Sequence, residues 1–132
     1  MMGTKEIELV MIEVCKGLNL VPLSEIYVPD DFPEEPATES IVIHVKPQKR
    51  GEIFYKGFVD VNVVIPDDND RAEHDLLTQT ERLMIDTFKY DTVGEYEGNT
   101  YRYGLFSTEV LHEPDAHYHY VNTRLLFESL NI

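Results

Sequence analysis

Histidines and clustered acids are where this chain carries the most chemistry. His112, His117 and His119 flank Pro114-Asp115, a pair that reads as the turn of a β-hairpin. Centred there, the turn sets His112 directly opposite His117 and makes His119 the next neighbour on the same face. Three imidazoles on one face are a ligand set for zinc with an open fourth position. Register decides the matter, because a slip of one residue scatters the rings to both faces. A hairpin tip faces solvent, and a catalytic metal needs outer partners for its histidines that no neighbour in sequence supplies. The expectation is a polar tip that meets a protein partner. No catalytic residue, metal or cofactor is assigned.

The other candidate chemistries fall away one by one. Asp67-Asp68-Asn69-Asp70 begins like a calcium loop, but Ala72 stands where the sixth-position glycine belongs and Thr78 where the bidentate glutamate belongs. Helix capping explains the acids better, with Asp70 as N-cap and Glu73 completing a capping box. Pro66-Asp67 and Pro114-Asp115 could open a metal-dependent nuclease motif, yet no Glu-x-Lys occurs. There is no glycine-rich phosphate loop, no Gly-x-Ser-x-Gly, no His-Glu-x-x-His and no Cys-x-x-Cys. The single cysteine, Cys15, sits on an apolar helical stripe without a base to activate it. It reads as a small core residue.

These residues need a scaffold, and the periodicity supplies one. Ile7, Val10, Met11, Val14, Cys15 and Leu18 line one face of a helix over residues 4–18. Leu23 to Val28 read as a short strand. Pro29-Asp30-Asp31-Phe32-Pro33-Glu34-Glu35-Pro36 reads as an exposed, extended acidic loop, because prolines remove ladder donors and carboxylates repel. Ile41, Ile43 and Val45 alternate with polar or smaller neighbours, as do Ile53, Tyr55, Val59, Val61, Val63 and Ile65. Both are period-two strands, joined as a hairpin through residues 47–52, with Gly57 marking a bend or bulge. A second helix over residues 71–89 carries Leu76, Leu77, Thr80, Leu83, Met84, Thr87 and Phe88 toward the sheet. A hairpin with Gly98-Asn99 at its turn follows, and then the long hairpin around Pro114-Asp115, with Phe106 on the face of His112. The expected fold is α+β: an N-terminal helix and one crossing helix packed on a mainly antiparallel sheet with long β-hairpins, as a single domain over residues 1–132.

Charge narrows the partners. The chain has 132 residues, 25 acidic against 11 basic, for a formal net charge of −14. Such an excess repels nucleic acid and anionic membranes as a whole. One cysteine excludes an internal disulfide framework. The longest clean apolar run is Leu9 to Ile12, far below the ~20 residues of a membrane span, and Lys5, Glu6 and Glu8 break any secretory pattern. A soluble, intracellular protein is the expectation. Four of the eleven basic residues, Lys46, Lys49, Arg50 and Lys56, fall on the first hairpin. Asp30, Asp31, Glu34 and Glu35 crowd the acidic loop. One molecule's basic hairpin can meet the next molecule's acidic loop, a heterologous contact that closes into a ring where the rotation permits.

The order of elements resembles the tail terminator and tail-completion (head–tail joining) proteins of long-tailed bacteriophages. The segments that carry the likeness are Glu39 to Lys46, Gly57 to Pro66, the helix from Asp75 to Phe88, and the closing pair Ser107 to His112 and His119 to Phe127. The resemblance implies a structural protein with no catalytic residue. It implies a ring, commonly of six copies, that caps the tail tube and meets head-completion proteins, in the cytoplasm during assembly and then in the virion neck. An acidic ring repels phosphates and lets DNA pass through without sequence-specific contact. Residues 29–36 are more proline-rich and acidic than the family pattern. Two other readings fit the same sequence: a small acidic regulatory domain that mimics nucleic acid or inhibits an enzyme, and a histidine-based metal enzyme.

Overall fold

The computed structural model describes residues 1–130. Helix α1 spans Thr4–Lys16 and buries Ile7, Val10, Met11 and Cys15. At its start the Gly3 amide donates to the Glu6 carboxylate at 3.1 Å, satisfying one of the free N-terminal donors. It ends at Lys16, two residues earlier than its apolar period, with Gly17 as C-cap and Asn19 turning into the left-handed region at φ 56°. The expected strand at Leu23 to Val28 is mostly a single 3-10 turn, Leu23–Glu25, followed by the two-residue strand β1, Ile26–Tyr27.

The sheet continues with β2 (Ser40–Val45), β3 (Lys49–Arg50), β4 (Phe54–Pro66), β5 (Thr92–Tyr96), β6 (Asn99–His112) and β7 (Tyr118–Leu130). Their spatial order is β1-β2-β4-β7-β6-β5, with β3 extending the pairing along β4. Only β1 and β2 run parallel; every other neighbour pair is antiparallel. Helix α2, His74–Phe88, packs with α1 on one face of this sheet. That is the α+β arrangement the periodicity implied.

Alternation on β4 and β7 generates the core. Val59, Val61, Val63 and Ile65 on β4 face Leu125, Thr123, Val121 and His119 on β7, and the apolar ones are buried. Ile41, Ile43 and Val45 of β2 join them, as do Leu77, Met84 and Phe88 of α2. The α2 stripe is narrower than its sequence suggested: Leu83 is 39% exposed and Thr87 lies in solvent. Phe127 stacks on Tyr101 at 5.4 Å and on Tyr103 at 6.3 Å, and Phe88 meets Tyr103 edge-on.

Several local expectations are corrected. The first hairpin turns at Glu52 and Ile53, between paired Gly51 and Phe54, so Ile53 is a 64% exposed tip residue and not part of the apolar face. The irregularity expected at Gly57 lies across from it, at Pro47 and Gln48. A Cβ on Gly57 would run into the Gln48 side chain and the Pro47 carbonyl, so glycine is what lets the kinked neighbour approach. Asp70 does not cap α2. Asn69 and Asp70, at φ 51° and 61°, are the centre of a tight turn in which Asp68 and Arg71 exchange both backbone bonds at 2.9 and 3.0 Å. Asn and Asp tolerate that left-handed pair, and the primed turn it makes matches hairpin twist. The helix therefore starts three residues later, at His74, with no side-chain cap. In the next hairpin the turn is Glu97-Gly98, one residue earlier than expected, with φ 45° and 83°.

The long hairpin shows the largest correction. Its loop is wider than Pro114-Asp115, so His112 pairs with His119 and not with His117. A bulge between Leu105 and Ser107 then turns Phe106 to the opposite face, where it is 60% exposed. Replacing Phe127 by Ala removes the ring on which Tyr101 and Tyr103 stack and is expected to lower stability by about 3–5 kcal/mol. Urea unfolding followed by circular dichroism measures the change.

Candidate functional site

With both helices on one face, the other face of the sheet is left open. Its side chains come from the even-numbered positions of β4 and β7, and they form cross-strand rows. Arg124 grips Asp60 with two nitrogens at 2.8 and 3.1 Å and lies over Phe58 at 5.1 Å. Arg102 does the same to Glu128 at 3.1 and 3.2 Å and lies over Phe54 at 4.6 Å. On the other side of the Arg124–Asp60 pair from Glu128, Asn122 donates to Asn62 at 2.8 Å. The Asp60 and Glu128 side chains are only 7% and 9% exposed, although no element covers them. Neighbouring long side chains bury them, and the forked guanidinium pairing makes that burial tolerable. Sequence reading missed these rows; the alternation of Lys56, Asp60 and Asn62 with valines was the available signal.

The two ends of this face differ in charge. At one end, a pocket of about 540 Å³ has Phe58 and Leu126 among its apolar walls, with Lys46, Lys49, Arg50 and Lys56 around it. Lys46 and Lys56 also reach Asp60 and Glu128 at 4.0 and 3.8 Å. Lys49 and Arg50 are exposed and form no ion pair among the described residues. All four basic residues singled out from sequence therefore converge.

At the other end lies the acidic loop. It is not free and extended throughout: Pro29–Asp31 form a 3-10 turn, and Phe32 is half-buried. The Phe32 ring meets Tyr27 at 5.6 Å and Tyr118 at 6.1 Å, both edge-on, which fastens the loop to the open face. Asp30, Asp31, Glu34 and Glu35 remain exposed. A groove of about 220 Å³ runs beside it, lined in part by Phe32, Val42, Tyr118 and Tyr120. Burial and the nearby Glu113 push both tyrosine hydroxyls above their ordinary range. Along β4 the facing edges of the two patches are Phe58 and Asn62, roughly 13 Å apart at strand rise.

The histidines occupy the helix-side face at the tip of the long hairpin. His112 and His119 stack at 4.3 Å with their planes 12° apart. His119 Nδ1 lies 2.8 Å from an Asp67 carboxylate oxygen, and His112 Nε2 lies 3.1 Å from the Ala116 carbonyl oxygen. His117 is not with them; it turns outward to Asp70 at 3.2 Å, both side chains largely in solvent. Asp67 takes the third place instead. It arrives there because pairing continues past Pro66, the Asp67 amide donating to the His117 carbonyl at 2.8 Å.

No protein-family model matches the chain, and no curated protein matches it. Among the described residues, no helix is long and apolar enough to cross a membrane.

Cys15 is fully buried, and desolvation of the thiolate pushes its thiol from 9.0 up to about 12. A raised acid pKa means that the folded state favours the protonated form, so this contribution is intact below pH 9 and fades as pH rises toward 12. Iodoacetamide at mild alkaline pH should therefore label the native protein slowly and urea-unfolded protein fast, as mass spectrometry would show. Replacing Arg124 by Met strands the Asp60 carboxylate with only the distant Lys46. The expected loss is about 1–3 kcal/mol, below the figure for a fully buried pair because the guanidinium is 37% exposed. Thermal unfolding of the variant checks it.

Proposed function

We propose that this chain is a structural assembly subunit that associates head to tail into a ring, of the kind that terminates phage tails and joins them to heads. One observation carries the reading. A basic patch with an apolar floor and an acidic loop with an aromatic anchor stand at opposite ends of the same open sheet face. Opposite charges at opposite ends favour a heterologous contact, in which each copy uses one patch forward and the other backward. Two like patches would have favoured a two-fold dimer.

The element order fits the same role. In a ring of six, the formal −14 of each copy accumulates around the axis and keeps a DNA duplex from adhering to the wall. The remaining surfaces, including the histidine tip, are then available to tail-tube and head-completion proteins. Such a subunit works by contact and needs no catalytic residue.

A charge exchange tests the arrangement. One variant carries Lys49→Glu and Arg50→Glu; the other carries Asp30→Lys and Asp31→Lys. Wild type should form concentration-dependent oligomers by native mass spectrometry, weakening as salt screens the contact. Each variant alone should stay monomeric. An equimolar mixture should reassemble, because each altered patch then meets its complement in alternation around the ring. A mixture that remains monomeric, or a wild type monomeric at every concentration, overturns the head-to-tail contact.

A further inference from the structure

We propose that Asp67, His112 and His119 form a binding site for one divalent transition-metal ion of the zinc class. This inference is independent of the ring. It rests on a juxtaposition that spacing in the sequence did not show: one ligand atom from each of these three residues lies within 4.8 Å of the other two. Two come from facing strands, as the terminal β6–β7 pair, and the third comes from the end of β4. Three separate strand segments thus deliver donors to one point.

The surrounding bonds suit ligation. His112 Nε2 sits 3.1 Å from a carbonyl oxygen, which can only accept, so the bond uses an Nε2 proton and, in the neutral ring, leaves the Nδ1 lone pair for a metal. A ligating histidine ordinarily has its other ring nitrogen anchored in this way. Between His119 Nδ1 and Asp67 at 2.8 Å there is now a proton. A cation replacing it needs those donors about 3.4 Å apart, for bonds of ~2.1 Å at a tetrahedral angle, so a small opening suffices. The two imidazoles stack nearly parallel, and turning them toward a common point is a rotation about the soft final torsion of histidine.

The donor set selects the ion. Imidazole nitrogens with one carboxylate suit zinc and its transition-metal neighbours, whereas calcium and magnesium seek oxygen cages. Asp67 is well placed as the anionic member, with a side chain 6% exposed and its backbone amide tied to the His117 carbonyl just before β7. His112 is exposed, which leaves a path for the ion and a coordination position for water. His117, two residues before His119, points instead to Asp70 and stays outside the set.

The full-length chain, stripped with chelator, is titrated with zinc against a chromophoric competitor, and cobalt(II) is added in parallel for its visible spectrum. One zinc per chain should bind, and cobalt should give the bands of nitrogen–oxygen coordination. His112→Ala, at an exposed position that tolerates truncation, should weaken zinc binding by about tenfold or more and bleach the cobalt bands. Asp67→Asn should weaken it as well. His117→Ala should leave it unchanged. Zinc should raise the thermal midpoint of wild type and not that of His112→Ala. Binding that fails to saturate at one ion, or that falls as much with His117→Ala as with His112→Ala, marks scattered surface histidines and overturns the site.

Discussion

The thirteen-residue pairing of β4 with β7 is the constraint on which the rest of this molecule depends. It runs unbroken from Phe54 opposite Leu130 to Pro66 opposite Tyr118. Because side chains alternate, that one register sends Val59, Val61, Val63, Val121, Leu125 and Phe127 to the helices, and Lys56, Asp60, Asn62, Arg124 and Glu128 to the open face. A slip by a single residue would bury the ion pairs under α2 and put the valines in water. The same pairing, continued by one more bond to Asp67, sets that carboxylate beside His119.

A sheet covered on one side only must make its other side acceptable to water while keeping it from pairing indiscriminately. Here the forked Arg102–Glu128 and Arg124–Asp60 contacts use up most of the central charges, and phenyl rings lie under both guanidiniums. What is left unsatisfied is at the ends. Phe32 folds the acidic loop down over Tyr118, and at the far end Lys49 and Arg50 stand over an apolar hollow. The charge imbalance of the chain is therefore not spread evenly: a small basic area is kept distinct within an acidic whole. Surface of that kind directs association more than it adds stability.

Legibility followed the physics of each element. The apolar periods of α1, β2 and β4 were plain because burial on one side demands them. Their ends were less plain, since Asn19 and Glu52-Ile53 turn the chain through backbone conformation that hydrophobicity does not record. Asp67 to Asp70 misled for a related reason: short polar side chains that cap helices are the same ones that accept the left-handed turn actually formed. In the long hairpin, the parity of the tip was right, but the loop was wider than two residues and a bulge moved Phe106 across the sheet. Neither feature has a local signature in this sequence.

The amino-acid sequence by itself determined the α+β class, the faces of the long strands and the clustering of basic residues on the first hairpin. These follow from period and composition, which act between near neighbours. Only the tertiary structure decided that His119 rather than His117 faces His112, that Asp67 completes the group, and that the basic and acidic patches share one face at opposite ends. Those are facts of register and of long-range pairing, where one added loop residue reassigns every partner, and no local preference is strong enough to count such residues.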